Sequence, residues 1–184
     1  MSIKRNTSLQ FIKNFFDTGA IKETSREVEL EICQRIPTDR DVIVVEFGMG
    51  HGNITQEILS TITPGSKVYA FEVVEEFCDH VKEIIQDDRL VIVNDSAENI
   101  KQHISFPIDS VISSIPFSFF SEAKGTTIIQ DSYDLLKDGA VYSQVLLTKF
   151  NFKKFEAVFE ECGMVKLPNF PSEYVYHCQK KVKR

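Results

Sequence analysis

The hydrophobic and polar residues follow two different periods along the chain. Short β-branched apolar runs are typical of strands buried on both faces of a sheet, and they alternate with segments whose apolar residues recur at helical spacing. The predicted strands cover residues 42–46, 67–73, 90–93, 108–115, 140–147, 164–167 and 174–179. This alternation predicts an α/β fold, in which a mostly parallel sheet carries helices on both faces. The close final pair of strands predicts one antiparallel edge strand.

Amphipathic segments predict helices before and between these strands. Helical spacing of apolar residues covers residues 8–17, 54–62, 77–85, 128–136 and 152–159. A further helix opens at Thr24 with the S/T-x-x-E spacing of a capping box and stops before Pro37. A chain of 184 residues is long enough for one domain and short for two. We therefore predict a single domain over residues 1–184, with N-terminal helices in 1–36 and the sheet core in 41–184.

Composition limits the classes of protein to which the chain can belong. The sequence has no apolar run long enough to span a bilayer, and the basic residues 1–5 are not followed by the apolar region and cleavage site of a signal peptide. The four cysteines and four histidines are dispersed, without C-x-x-C or another metal-ligand spacing. We therefore expect a cytoplasmic protein with reduced thiols and no bound metal.

The net charge of −6 is distributed unevenly. Residues 1–26 carry five basic and two acidic side chains, and four of the last five residues are basic, so the region between them is strongly acidic. An acidic body disfavours a broad nucleic-acid footprint. The basic ends either contact an anionic surface or are simply solvated.

The predicted helix at residues 8–17 combines aromatic and basic side chains. Its apolar stripe and flanking residues are Leu9, Phe11, Ile12, Phe15 and Phe16, and the neighbouring cations are Lys4, Arg5 and Lys13. This combination suits a helix that lies in a membrane interface. It equally suits a helix packed over an active site or a helix of the core.

The turn after the first strand carries the strongest candidate chemistry. The strand ends at Glu46, glycines follow at 48, 50 and 52, and a helix begins after Asn53. Glycines permit positive φ and close approach of a ligand, and the helix N-terminus offers free N–H groups. In dinucleotide folds a pyrophosphate lies at this position, and the charge of Glu46 would repel it. A ligand with cationic groups is therefore favoured, and S-adenosylmethionine (SAM) carries an ammonium and a sulfonium.

The Glu46-x-Gly48-x-Gly50-x-Gly52 turn resembles motif I of the class I SAM-dependent methyltransferases. The resemblance implies a Rossmann-like fold with a seven-stranded sheet, a C-terminal antiparallel hairpin, SAM as the cofactor and S-adenosylhomocysteine (SAH) as the product. It places Glu46 near the methionine end of SAM. A carboxylate at the end of the second strand, here Glu72, can bind both ribose hydroxyls, as in dinucleotide folds.

The turn after the third strand holds the adenine in this class of methyltransferases. Asp95 to Glu98 also has capping-box spacing, so Asp95 either contacts the adenine or only caps a helix. The candidate cofactor-binding residues are Thr18, Gly19, Glu46, Phe47, Gly48, Gly50, Gly52, Asn53, Glu72, Val73, Asp95, Ser96 and Ala97.

The chain resembles two families of methyltransferases, which differ in the acceptor that they methylate. Residues 49–57 and Ser114-Ile115-Pro116-Phe117 resemble the rRNA adenine N6-dimethyltransferases, which carry Asn-Ile/Leu-Pro-Tyr/Phe after the fourth strand. In that family the Asn side-chain carbonyl and the following backbone carbonyl orient the adenine amine, and the hydroxyl of Ser114 cannot reproduce this geometry. That family also has a helical domain after the sheet, which we expect this chain to lack.

The chain is also similar to the bacterial phospholipid N-methyltransferases, which act on phosphatidylethanolamine. Residues 17–25, 113–116 and 169–176 resemble their Val-Gly-Ala-Ile-x-Pro-Ser-Ser, Ser-Gly-Leu-Pro and Asn-x-Pro-Pro-Ala-x-Val-Trp/Tyr segments. Glu23 stands where that family has Pro, and Ser172-Glu173 stands where it has Pro-Ala. Members are compact single domains whose amphipathic N-terminal helix docks on anionic membrane.

The resemblance therefore implies an N-methyltransferase that acts on the amine head group of a phospholipid or other amino-lipid. The protein would be cytoplasmic or peripheral on the inner face of the membrane, with its basic, Phe-containing N-terminal helix on the anionic surface. The candidate catalytic residues are Ser113, Ser114 and Pro116, where backbone carbonyls would hold the amine. The alternatives are an RNA or small-molecule N-methyltransferase, RNA being the less favoured partner, and a non-catalytic SAM-binding module.

Overall fold

The structure, a computed structural model, describes residues 24–168 and 172–183. The predicted helix at 8–17 and the candidates Thr18 and Gly19 lie outside the described residues, and the division of the chain into 1–36 and 41–184 stays a prediction. The described strands are β1 (Ile43–Phe47), β2 (Lys67–Phe71), β3 (Leu90–Val93), β4 (Ile108–Ser113), β5 (Leu136–Leu146), β6 (Glu161–Lys166) and β7 (Tyr174–Gln179).

These strands form one sheet in the order β3-β2-β1-β4-β5-β7-β6. Strands β1 to β5 are parallel, and β7 runs antiparallel to both β5 and β6. The predicted mostly parallel sheet with a closing antiparallel hairpin is therefore confirmed. The strand order reverses between β1 and β4, and ligands of open α/β sheets bind at such a point, beyond the carboxyl ends of the strands.

Helices cover both faces of the sheet. The described helices are α1 (Arg26–Cys33), α2 (Asn53–Thr61), α3 (Glu75–Ile84), α4 (Ile100–His103), α5 (Glu122–Leu135) and α6 (Phe152–Glu156), with 3₁₀ turns at Ala97–Asn99 and Phe117–Phe119. A first core contains residues of α4, α5 and α6, a second contains residues of α1 and α2, and a small third cluster contains Cys78 and Val81 of α3. Adjacent residues of β1 divide between the first two, because Val44 belongs to the second core and Val45 to the first. In the ranges that the structure describes, no helix is long and apolar enough to cross a bilayer.

Helix α1 begins one residue later than the capping box predicted. The cap is Ser25, whose hydroxyl accepts a hydrogen bond from the Val28 N–H at 3.4 Å. Either hydroxyl of the Thr24-Ser25 pair has the residue type of a cap, so local chemistry could not choose between them.

Strand β5 begins at Leu136 rather than at residue 140, and the segment Asp138-Gly139, typical of a turn, lies inside it. Gly139 has a φ of 78°, and the pairing of β4 with β5 shifts register beside it. The Gly139 N–H donates to the Lys180 carbonyl at 2.9 Å. Asp138-Gly139 therefore forms a bulge within the strand instead of a turn, because the segment at Lys180 supplies a hydrogen-bond partner. Strand β4 ends at Ser113, two residues before the predicted boundary.

Candidate cofactor site

The glycine turn lies at the carboxyl edge of the sheet, between β1 and α2. Gly48, Gly50 and Gly52 have φ values of 79°, 53° and 89°, a region that side chains rarely adopt. A Cβ on Gly48 would lie 3.0 Å from Ser114 Oγ and from Ile115 Cγ2, whereas a Cβ on Gly50 would have nothing within 4 Å. The turn is therefore packed against the segment after β4 at its start and open at Gly50. The N-cap of α2 is Gly52, which makes no side-chain hydrogen bond to the helix. The first main-chain N–H groups of α2, from Asn53 onward, therefore have no side-chain cap at this turn.

Glu46 lies beneath the turn and is only 1% exposed. Its Oε2 accepts a hydrogen bond from the Thr55 hydroxyl at 2.7 Å, but its buried Oε1 has no hydrogen-bond partner among the described residues. Burial raises the pKa of Glu46 to about 8, the negative charge of Glu72 adds to the increase, and the Thr55 hydrogen bond opposes it. A buried carboxylate oxygen without a partner is costly. The buried Oε1 is therefore satisfied only when Glu46 carries a proton, or when a cationic or hydrogen-bond-donating group lies beside it.

Glu72, the residue after β2, is 6% exposed, and its carboxylate binds main-chain N–H groups, one of them in the glycine turn. Its carboxylate accepts hydrogen bonds from the N–H groups of Gly50 at 3.0 Å, Val73 at 2.8 Å and Val74 at 2.9 Å. Burial raises the pKa of Glu72 and these hydrogen bonds partly oppose the increase. Because a carboxylate has about four acceptor positions, room remains for one hydroxyl donor. The predicted contact with both ribose hydroxyls needs one acceptor position more than remains, so the geometry leaves room for one of the two, and the ribose contact stays a prediction.

Both carboxylate oxygens of Asp95 have partners within the protein, which the sequence does not indicate. Its Oδ1 accepts hydrogen bonds from the Ser96 N–H at 2.7 Å and from Asn99 Nδ2 at 2.8 Å, and its Oδ2 lies 2.9 Å from His103 Nε2. Partial burial works to raise the pKa of Asp95, but these hydrogen bonds outweigh it and the pKa is lowered. The N-cap of the following 3₁₀ turn is Ser96, not Asp95, and Ala97 is buried directly after it.

The acceptor candidates after β4 lie at the same edge but differ in orientation. Ser113 is fully buried, and its Oγ has no hydrogen-bond partner of standard geometry in the described ranges, although the Tyr142 hydroxyl is near. The Ser114 hydroxyl donates to the Gly48 carbonyl at 2.7 Å, and the Ser114 N–H donates to the Phe47 carbonyl at 2.9 Å. Pro116 is half-buried and precedes the 3₁₀ turn.

The Ser114 hydroxyl is therefore bound within the scaffold and the Ser113 hydroxyl is fully buried, which leaves the main chain of this segment as the candidate contact for an acceptor. Phe47 belongs to the core in the same way: its ring is fully buried, and it reaches the site through its carbonyl. The structure thus brings the candidates of the first, second and fourth strands together at one edge.

Sequence reasoning missed two side-chain amides that position these segments, and one of the two, Gln144, is buried. Gln144 on β5 is fully buried, and its Nε2 donates to the carbonyls of Ile115 at 3.1 Å and Val145 at 2.8 Å. Asn94 Nδ2 donates to the Glu72 carbonyl at 2.9 Å and so joins the ends of β2 and β3. The signal available in the sequence was a glutamine within the apolar run of the fifth strand, since a buried polar side chain requires a partner.

The described ranges contain no group of three or more His, Cys, Asp or Glu side chains that could hold a metal ion. The buried Glu46 carboxyl beneath a glycine turn that is open at Gly50 suits a cationic or hydrogen-bond-donating group of an organic ligand. The acceptor oxygens of Glu46 and Glu72 are consistent with the ammonium and hydroxyl donors of SAM.

No model of a protein family matches the chain, and no curated protein matches it significantly. Solved structures do match. An rRNA methylase from Streptococcus thermophilus superposes with a TM-score of 0.63 at 19% identity, over 88% of this chain and 99% of that one. A candidate methyltransferase from Streptococcus mutans, solved with SAH, gives a TM-score of 0.62 at 19% identity, over 85% and 99% of the two chains.

The N-methyltransferase NodS from Bradyrhizobium japonicum gives a TM-score of 0.71 at 8% identity, over 85% of this chain and 96% of that one. At these identities the likeness establishes the fold. The chain therefore has the Rossmann-like fold that these methyltransferases share.

Proposed function

We propose that the protein is a SAM-dependent methyltransferase whose acceptor is an amine. The observation that carries the proposal is the unpartnered Oε1 of Glu46, fully buried beneath a positive-φ glycine turn at the strand-order reversal. A buried carboxyl offers a pyrophosphate no cationic partner, whereas an ammonium would supply the missing partner and favour the ionised carboxylate. The shared fold with methyltransferases, one of them solved with SAH, supports the same cofactor.

Bound SAM would supply a methyl group carried on a positively charged sulfur. When the methyl group is transferred, the rest of the molecule leaves as the neutral thioether SAH. The residues of the chain would bind and orient the reactants. Glu46 would pair with the ammonium, Glu72 would accept from the ribose, and the open backbone at Gly50 would allow close approach. A neutral amine is required for the attack, and no described side chain is assigned as the base, so positioning would contribute most of the rate.

The acceptor class that we favour is the amine head group of a phospholipid or other amino-lipid. Support comes from the sequence resemblance of residues 113–116 to the phospholipid N-methyltransferases and from the acidic body of the chain, which disfavours a broad RNA footprint. The second candidate is RNA, because rRNA methylases are among the similar structures. A SAM-binding protein without catalysis is the third alternative.

Transfer of radiolabelled methyl groups from SAM into total lipid extract and, in parallel, into total RNA tests this proposal. We expect label in a lipid band, whose mobility identifies the head group, and none with Glu72→Ala, which should lose SAM affinity. Label in RNA alone would overturn the lipid assignment and keep the methyltransferase. Unchanged SAM affinity in both Glu72→Ala and Gly48→Arg would overturn the cofactor site itself.

Gln144→Met should separate positioning of the acceptor from binding of SAM. The change frees the Ile115 carbonyl beside the acceptor, because methionine has a similar shape and cannot donate a hydrogen bond. We expect the free energy of unfolding to fall by about 1–2 kcal/mol and the rate of methyl transfer to fall by at least about tenfold. The affinity for SAM, measured by calorimetry, should change little.

Gln179→Met provides the matched control. Gln179 also donates from its amide to a main-chain carbonyl, that of Gly139 at 2.8 Å, but it is exposed and lies at the opposite edge of the sheet. Its replacement should leave the rate unchanged. Equal loss of rate in the two variants would show that Gln144 acts only through general stability.

A further inference from the structure

Two large apolar side chains are exposed in the connection between β5 and α6. Leu147 is 54% exposed and Phe150 is 86% exposed, the highest value among the exposed large apolar side chains that the structure describes. Single exposed apolar residues are common on protein surfaces, so exposure alone indicates nothing. The anchoring, charge and position of this pair distinguish it from such residues.

The connection is anchored on both sides of Phe150. The Tyr176 hydroxyl donates to the Thr148 carbonyl, and the rings of Phe152 and Tyr176 lie 4.9 Å apart. Phe155, one turn further along α6, is fully buried in the core. Phe150 is therefore directed away from the protein by flanking residues that are themselves fixed, although a buried position would be favoured for its ring.

Three lysines lie close to the exposed pair in the sequence. Lys149, Lys153 and Lys154 lie within eight residues of Leu147, and the acidic side chain in this stretch is Glu156 at the end of α6. Residues 147–154 thus carry three positive charges and no negative one, on a chain whose net charge is −6. Residues 147–154, with their two exposed apolar side chains and three lysines, are called the β5–α6 patch below.

The β5–α6 patch lies at the same edge of the sheet as the candidate site. Strand β5 runs parallel to β4, so both strands end at this edge, with Ser113 opposite Gln144. Gln144, three residues before Leu147, holds the Ile115 carbonyl of the acceptor segment. A partner bound to the patch would therefore be next to the main chain that is left to meet an acceptor.

We propose that the β5–α6 patch docks the protein on an anionic lipid bilayer. This deepens the proposed function and rests on it for its purpose, since docking here would bring head groups to the acceptor segment. Phe150 and Leu147 would enter the boundary between head groups and acyl chains, while the lysines remain at the level of the anionic phosphates. A single-stranded nucleic acid fits less well, because Leu147 has no aromatic face on which a base could stack.

Co-sedimentation of the full chain with lipid vesicles tests the docking. Vesicles of phosphatidylcholine containing phosphatidylglycerol are compared with vesicles of phosphatidylcholine alone. We expect the double variant Leu147→Ser/Phe150→Ser to bind the anionic vesicles at least about tenfold more weakly, with unchanged SAM affinity. The double variant Leu30→Ser/Val182→Ser removes side chains that are 49% and 59% exposed elsewhere, and it should bind like the unchanged protein.

A fluorescent reporter detects insertion even where other residues of the chain also bind lipid. The sequence contains no tryptophan, so Phe150→Trp and Val182→Trp each introduce a single indole. With anionic vesicles, the emission of Phe150→Trp should shift to shorter wavelength and be quenched by brominated acyl chains. The emission of Val182→Trp should not change.

Several results would overturn the docking. These are no binding to anionic vesicles, binding that leaves the Phe150→Trp emission unchanged, or loss of polyuridine binding rather than vesicle binding in the double variant. The docking and the proposed function fail separately. Vesicle binding through the β5–α6 patch without transfer of methyl groups to lipid would refute the lipid acceptor and leave the docking intact.

Discussion

Gly48→Ala should reduce the affinity for SAM by about 100-fold or more. The new Cβ would lie 3.0 Å from Ser114 Oγ and from Ile115 Cγ2, at a backbone φ of 79° that disfavours any side chain. The turn and the segment after β4 would have to separate, and both contribute to the proposed site. We expect about 3 kcal/mol of lost stability from the strain and the contacts together. Calorimetric titration with SAM and urea unfolding measure the two effects.

Gly50→Ala is the matched control for stability. Gly50 also has positive φ, at 53°, but its Cβ would have nothing within 4 Å. Only the conformational cost remains, so the loss of stability should be about 1 kcal/mol. Gly163→Ala, where φ is not positive and nothing lies within 4 Å of the new Cβ, should change neither stability nor SAM affinity strongly. Equal destabilisation by Gly48→Ala and Gly50→Ala would show that packing against Ser114 and Ile115 is unimportant.

The second large effect concerns Glu46 and pH. Because burial raises its pKa to about 8, the carboxyl is largely protonated at neutral pH in the free protein. An ammonium pairs with the ionised form, so SAM affinity should rise by up to about tenfold per pH unit as the pH approaches 8 and level off above it. Glu46→Gln should bind SAM weakly and with little dependence on pH. Calorimetric titrations between about pH 6 and about pH 9 measure this dependence.

The stability of the free protein should change in the opposite direction. The folded-state pKa of Glu46 is raised, so the folded state keeps a proton that the unfolded state releases above its ordinary pKa of 4.5. Stability is therefore highest below that value and falls as pH rises towards about 8, by an amount on the order of 3–5 kcal/mol. Urea unfolding at several pH values should show this fall in the unchanged protein and a flatter profile in Glu46→Gln.

Thr55→Val offers a control that keeps the carboxyl. It removes the hydrogen bond that opposes the increase in the Glu46 pKa, so the rise of SAM affinity should move to higher pH. A SAM affinity that does not depend on pH in the unchanged protein would mean that Glu46 is ionised throughout, and the pairing argument would be wrong.

The sequence was sufficient where the structure depends on local periodicity. Strands such as 90–93 and 174–179 lie where the pattern predicts them, and the closing hairpin follows from two short runs close together. Strand β5 shows the limit, because Asp138-Gly139 has turn chemistry but pairs with Lys180, about 40 residues away in the sequence. Long-range pairing of this kind overrides local preference and leaves no signal in the segment itself.

The candidate site was predictable in residue type and less so in side-chain direction. The glycines and Glu46 come together because a strand, a turn and a helix are contiguous in sequence. The direction of the Ser114 hydroxyl depends on Gly48, which is 66 residues distant, and the Ile115 carbonyl depends on Gln144. Partners across such separations are fixed by the packed sheet, so a motif names the residues without showing which of their atoms are already occupied.

The position of β7 has a consequence for how the protein is made. It is the last described strand along the chain, yet it lies between β5 and β6 rather than at a margin of the sheet. During translation β6 leaves the ribosome first and has no hydrogen-bonding partner until β7 follows and separates it from β5. The nascent chain must therefore hold two open strand edges until residue 179 has emerged, a period in which a chaperone or another nascent chain could pair with them.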